Sequence, residues 1–135
     1  AASRFVQMLA SGLATVKNIH HGWAWVVIIG NGLAGLWCLS ANWVQPLRTR
    51  ALWWFIGAAE VTVFVQVVLG AIMVGKYKVP LPQFHAFYGF VAIVAIAIVY
   101  SYRFQMKHRL YMLYGFGSLF IMGLGIRAML IAAKA

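Results

Sequence analysis

The sequence predicts an all-α integral membrane protein: an up-down bundle of four transmembrane helices preceded by a short interfacial helix. Three observations carry this expectation. Apolar residues make up 64% of the 135 residues and charged residues only 9%, against a globular average of about 25% charged. Four apolar runs each reach the roughly 20 residues that a bilayer core of about 30 Å requires. The links between them are short, polar and basic, which makes consecutive helices antiparallel neighbours.

Charge narrows the function classes. Lys and Arg number 11, Glu60 is the single acid, and the net charge is +10. In a polar chain such a balance suggests nucleic acid. Here the charges flank apolar runs, so they read as membrane edges facing lipid, with no nucleic acid partner. Disorder is excluded by the apolar content. Cys38, the lone cysteine, lies inside an apolar run and supports neither an internal disulfide nor a multi-cysteine zinc site. No signal peptide with a cleavage site is evident.

Residues 1–19 place Arg4, Phe5, Met8, Leu9, Leu13, Val16 and Lys17 at a spacing near 3.6, which predicts a short amphipathic helix lying in the interface, with Asn18 as a cap for the next element. The bundle then occupies residues 20–135, with spans at about 22–44, 51–75, 84–102 and 110–131. Pro80 and Pro82 stop the second helix and prepare the third. Aromatic residues gather at the ends, with Trp37, Trp43, Trp53, Trp54, Tyr100, Tyr102, Tyr111 and Tyr114 near one interface and Trp23, Trp25 and Tyr77 near the other. Arg48, Arg50, Arg103, Lys107 and Arg109 lie on one side; Arg4, Lys17, Lys76, Lys78 and Lys134 lie on the other. Placing the denser, Arg-rich loops in the cytoplasm puts both termini outside, in the plasma (inner) membrane of a prokaryote.

The first and third helices run in the same direction across such a bundle, so His20 or His21 comes to the same depth as His85. Facing neutral imidazoles can supply both axial ligands of a haem iron. A zinc or copper site would call for a third ligand, and none is evident at that level. Small residues stand one turn on, Ala24 after His20 and Gly89 after His85, where a flat macrocycle needs clearance. His21 is followed at that spacing by Trp25, which favours His20. The alternative is that these histidines hold a polar tip in the headgroup zone.

The second helix carries Gln66-Val-Val-Leu-Gly70-Ala-Ile-Met-Val74. The order of an opening histidine, then Gln-x-x-x-Gly-x-x-x-Val, then His85 resembles one four-helix half of the haem A synthase family, over about residues 19–102. The resemblance implies a bundle holding one haem between His20 and His85 near the outer face. That family is built from two such halves and this chain offers one. Lys17 and Asn18 stand where the family has an acid before the first histidine, and His21 stands where an Arg follows it. A single-haem relative is therefore the expectation, with haem b as cofactor.

Two further residues call for explanation. Arg127 lies about 25 Å along the fourth helix by helical rise, near the level of His20 and His85. With Lys76 or Lys78 it would neutralise haem propionates, or it snorkels to headgroups. Glu60 falls mid-helix in the second span, where an ionised carboxylate is costly. It relays protons or bonds to a neighbouring subunit, or it is a protonated acid satisfied by Asn31 or Thr62. Glycines 115, 117, 123 and 125 with Ser118, and the stretch Gly30 to Gly35, form small-residue stripes for close packing. His108, in the third loop, has no depth-matched partner.

No nucleophile with its base, no phosphate-cradling loop and no paired carboxylates occur, so neither an autonomous enzyme nor a soluble substrate is indicated. Two readings follow. One is a small electron-carrying haem b subunit of a larger, respiratory membrane complex. The other is a cofactor-free accessory subunit that stabilises such a complex and binds lipid.

Overall fold

The computed structural model describes residues 2–82 and 84–134. These form four helices and, among the described residues, no strand: α1 (Ala2–Trp43), α2 (Arg50–Gly75), α3 (His85–Ser101) and α4 (Leu110–Lys134), with short 3-10 turns at Gln45–Leu47 and Lys107–Arg109. Three segments, Ala2–Trp43, Arg50–Gly75 and Lys107–Lys134, are long and apolar enough to cross a membrane. α3 is apolar but shorter, at 17 residues. The outer surface carries large apolar side chains, among them Trp54 (76% exposed) and Phe90 (66% exposed). A surface of that kind is compatible with contact to hydrocarbon.

The expected separate interfacial helix over residues 1–19 is not a separate element; Ala1 lies outside the described residues. α1 runs unbroken from Ala2 to Trp43, about 63 Å by helical rise. Its first turns continue past the bundle, and residues 2–11 are all exposed. Asn18 sits in mid-helix and caps nothing. The reason is local: Asn costs well under about 1 kcal/mol inside a helix, and no proline interrupts the segment. Ala10, Leu13, Ala14 and Lys17 all favour propagation, and the Thr15 hydroxyl donates back to the Ser11 carbonyl at 3.0 Å.

α1 is the hub. It packs along both α2 and α4, α3 lies on α4, and α2 and α3 touch only lightly. Against α4 the approach is backbone to backbone. A Cβ on Gly35 would stand 2.9 Å from the Gly115 carbonyl oxygen, and a Cβ on Gly115 would stand 3.0 Å from the Leu39 nitrogen. Further along the same seam, Gly32 faces Met122 and Gly125 faces Ile28, so the two helices are antiparallel. The glycine stripe of α4 thus divides: Gly115 and Gly125 face α1, Gly117 faces Val99 of α3, and Gly123 looks outward into open space.

The α1–α2 turn is built from capping groups. Arg48 donates from Nε to the Ala41 carbonyl and from Nη2 to the Asn42 carbonyl, both at 2.7 Å, satisfying acceptors that the end of α1 leaves open. Its guanidinium lies 5.0 Å from the Tyr111 ring centroid. Thr49 is extended and accepts the Leu52 N–H through its hydroxyl, which starts α2. Below this turn Ala34, Cys38, Ala41, Leu52, Ile56 and Ala59 form one core. A second core joins all four helices through Val27, Val63, Ala92, Ile96 and Ile121.

If the backbone contact holds α1 to α4, Gly115→Leu should lower stability by about 1 to 3 kcal/mol through overpacking. Gly123→Ala, with nothing near its added methyl, should be neutral or slightly stabilising. Thermal unfolding in detergent followed by circular dichroism checks both, and equal melting of the two variants would contradict the seam.

Candidate functional site

At the end of the bundle opposite Arg48, α1 carries His20 and α3 opens with His85. Their ring centroids are 6.0 Å apart with the planes inclined at 67°. His20 is buried, at 9% exposure, and His85 is half-buried. His21 is exposed, with its ring centroid 6.2 Å from that of His20. Among the described residues no three His, Cys, Asp or Glu side chains gather as a metal-ligand set, so the arrangement is a pair of imidazoles with a third at its rim.

Each imidazole is held by a helix other than its own. His85 Nδ1 lies 3.0 Å from the Ala128 carbonyl oxygen of α4. A carbonyl only accepts, so in neutral His85 the proton sits on Nδ1 and the Nε2 lone pair is left free. His20 packs against α2: a Cβ on Gly70 would stand 3.4 Å from its Cε1. One turn before Gly70, Gln66 donates from Nε2 to the His20 carbonyl at 2.8 Å. Gly89 faces α2 more loosely, its nearest neighbour being Val67 at 3.9 Å. Ala24, one turn after His20, is half-buried, and Trp25 points outward at 54% exposure.

The approach to His85 is strained. Pro80 and Pro82 keep the chain out of helix after Gly75, and Phe84, immediately before His85, takes left-handed dihedrals of φ 68° and ψ −10°. Such a conformation costs a bulky residue about 1 kcal/mol or more. It is held by hydrogen bonds on either side, from His85 N–H to the Pro82 carbonyl and from Tyr88 N–H to the Phe84 carbonyl. Tyr77 in the same link reaches back to α1, where its hydroxyl fills the space beside Gly12.

The other residues singled out in the sequence are distributed around this pair. Arg127 is exposed and adjacent in sequence to Ala128, which places it at the level of His85. Lys76 and Lys78 are exposed in the α2–α3 link at the same end. Glu60 is half-buried on α2, six residues and about 9 Å of helix from Gln66, towards the other end. Asn31 and Thr62 direct their side-chain donors to main chain and not to Glu60: Asn31 Nδ2 to the carbonyls of Val27 and Ala59 at 2.9 and 3.3 Å, and the Thr62 hydroxyl to the Ala59 carbonyl. His108 is exposed at the far end of the bundle.

Two contributors escaped the sequence reading. The Ala128 carbonyl has no signature, because every residue carries the same group. The left-handed turn at Phe84 has none either, since glycine or asparagine would mark such a position and phenylalanine does not.

Because His20 rests on Gly70 at ordinary contact distance, Gly70→Ala should be accommodated, whereas Gly70→Leu should push the ring off α2 and cost about 1 to 3 kcal/mol. Thermal melting of the two variants checks this, and a Leu variant as stable as the Ala variant would contradict the packing. Comparison of the chain with protein-family models, with curated proteins and with solved structures found no match, so the reading of this site rests on its own geometry.

Proposed function

We propose that this chain is an integral membrane subunit that holds one haem b between His20 and His85 and carries electrons within a larger, respiratory membrane complex. The separation of the two imidazoles supports this most directly. Two imidazoles that would hold one iron ion between them, each by a bond of about 2 Å, would stand roughly 6 Å apart by ring centroid once the ring radii are added. The 6.0 Å between His20 and His85 fits that requirement. The three apolar helices long enough to span a membrane and the apolar outer surface support the membrane setting.

The residues divide the work. When bound, haem supplies a one-electron iron couple whose potential its axial ligands tune. His85 offers Nε2 because its Nδ1–H is engaged by Ala128, a partner of the kind that fixes the orientation and raises the basicity of a ligating histidine. His20 is steadied by its contact with Gly70 and by the Gln66 hydrogen bond to its main chain. Gly70, Gly89 and Ala24 keep the flanks free of bulk. Arg127, Lys76 and Lys78 provide cations at the same end for two propionates. Arg-rich loops at the far end favour a cytoplasmic location there, which puts this site near the outer face of a prokaryotic plasma membrane.

A second reading, a cofactor-free accessory subunit, is favoured by a different observation. The turns of α1 beyond the bundle expose Phe5 and Met8 at 62% and 72%, as a segment covered by another subunit would. The two readings differ in one measurement. The purified chain should show a sharp Soret band and, on reduction, an α band. His20→Ala and His85→Ala should each abolish them, and His21→Ala should leave them in place. Bands absent from the wild type would leave the accessory reading, and bands unchanged in His85→Ala would overturn the assignment of His85 as a ligand.

A further inference from the structure

Two polar atoms at the histidine pair are buried without a hydrogen-bond partner: Nδ1 of His20 and Oε1 of Gln66. They belong to residues that already touch, since Gln66 Nε2 donates to the His20 carbonyl. They are also complementary. Gln66 Oε1 only accepts, and His20 Nδ1 donates whenever it carries the ring proton. A buried polar group without a partner is destabilising, so bringing the two together relieves both.

The orientation of the ring favours this pairing. Its edge bearing Cε1 and Nδ1 is the one turned towards α2, these atoms lying 3.4 and 4.0 Å from where a Gly70 Cβ would stand. Gln66 is one turn from Gly70 on the same helical face. The competing acceptor is the main-chain carbonyl of Gln66, which the imidazole also faces; that oxygen has its helical bond whether or not His20 donates to it, whereas the side-chain oxygen is buried with no partner at all.

We propose that Gln66 is the positioning residue for His20: its side-chain oxygen takes the Nδ1–H, which locks the neutral ring in the tautomer that leaves Nε2 unprotonated. The pair then becomes symmetric in function though not in construction. His85 is fixed by a main-chain carbonyl from α4 and His20 by a side-chain amide from α2. The use of that Nε2 as a haem ligand rests on the function proposed above, while the position of the proton does not.

The test begins on the full chain without haem, labelled with 15N-histidine in detergent micelles at about pH 8.5, above the ordinary imidazole range. The His20 signals are assigned by their loss in His20→Ala. In the wild type, His20 should show a protonated Nδ1 and an unprotonated Nε2. In Gln66→Met, which conserves side-chain volume, the nitrogens should average between tautomers. In Gln66→Glu, the wild-type pattern should persist. A wild-type ring protonated on Nε2, or a Gln66→Met spectrum like the wild type, would overturn the proposal, the latter because the main-chain carbonyl alone would then suffice.

The haem-loaded chain provides a second readout. Relative to wild type, Gln66→Glu should lower the midpoint potential by making the imidazole a stronger donor, and Gln66→Met should raise it; a potential that moves in neither variant would overturn the proposal. A wild-type chain without haem bands would overturn the electron-carrying function alone, and the ring nitrogens would still decide the role of Gln66.

Discussion

The contact on which this architecture depends is the meeting of two helix backbones at Gly35 and Gly115. The Leu119 and Leu39 side chains fill the space beside Gly35 and Gly115, so α1 and α4 are held in one axial register: sliding either helix would drive those side chains against the facing helix. That register reaches the histidine pair. α4 carries the Ala128 carbonyl that fixes His85, and α1 carries His20 itself. The two imidazoles sit on helices with little mutual contact, yet they are referred to one another through α4. Small residues at one end of the bundle therefore set the geometry at the other.

Four side-chain N–H donors on α1 and α2 follow one rule: they close on main-chain oxygen. Asn31 donates to Val27 and Ala59, Trp23 donates from Nε1 to the Thr62 carbonyl at 2.9 Å, and Trp37 donates from Nε1 to the Leu47 carbonyl at 3.1 Å. Gln66 donates to His20 in the same way. Carbonyls in a helix retain a second lone pair after their helical bond, which makes them acceptors available at every position. Side chains can thus cross between helices without a matched polar partner, and this is how so apolar a chain fixes the rotation of its helices.

Much of the helix pattern was legible from composition and punctuation. The apolar runs delimit α2, α3 and α4, and Pro80 and Pro82 mark the end of α2. The start of the chain misled for a physical reason: a capping residue such as Asn18 and a change from amphipathic to uniformly apolar character mark a boundary only if the helix gains from stopping, and nothing between Leu13 and Trp25 rewards a break. The co-directional path of α1 and α3 brings His20 to His85, which spacing could suggest. The direction of each ring could not be read in the same way, because it is set by Ala128, Gly70 and the left-handed turn at Phe84, features that reside in the backbone. The glycines of α4 likewise form a single stripe in sequence but serve α1, α3 and open space in turn.

The continuity of α1 has a mechanical consequence. From Ala2 to His20 there is no proline and no change of helical type, so the protruding turns and the imidazole are two points on one stiff rod. A body that grips Phe5 or Met8 does not pull on a tether; it leans on a lever whose fulcrum lies where Tyr77 braces Gly12, and the far arm ends at His20.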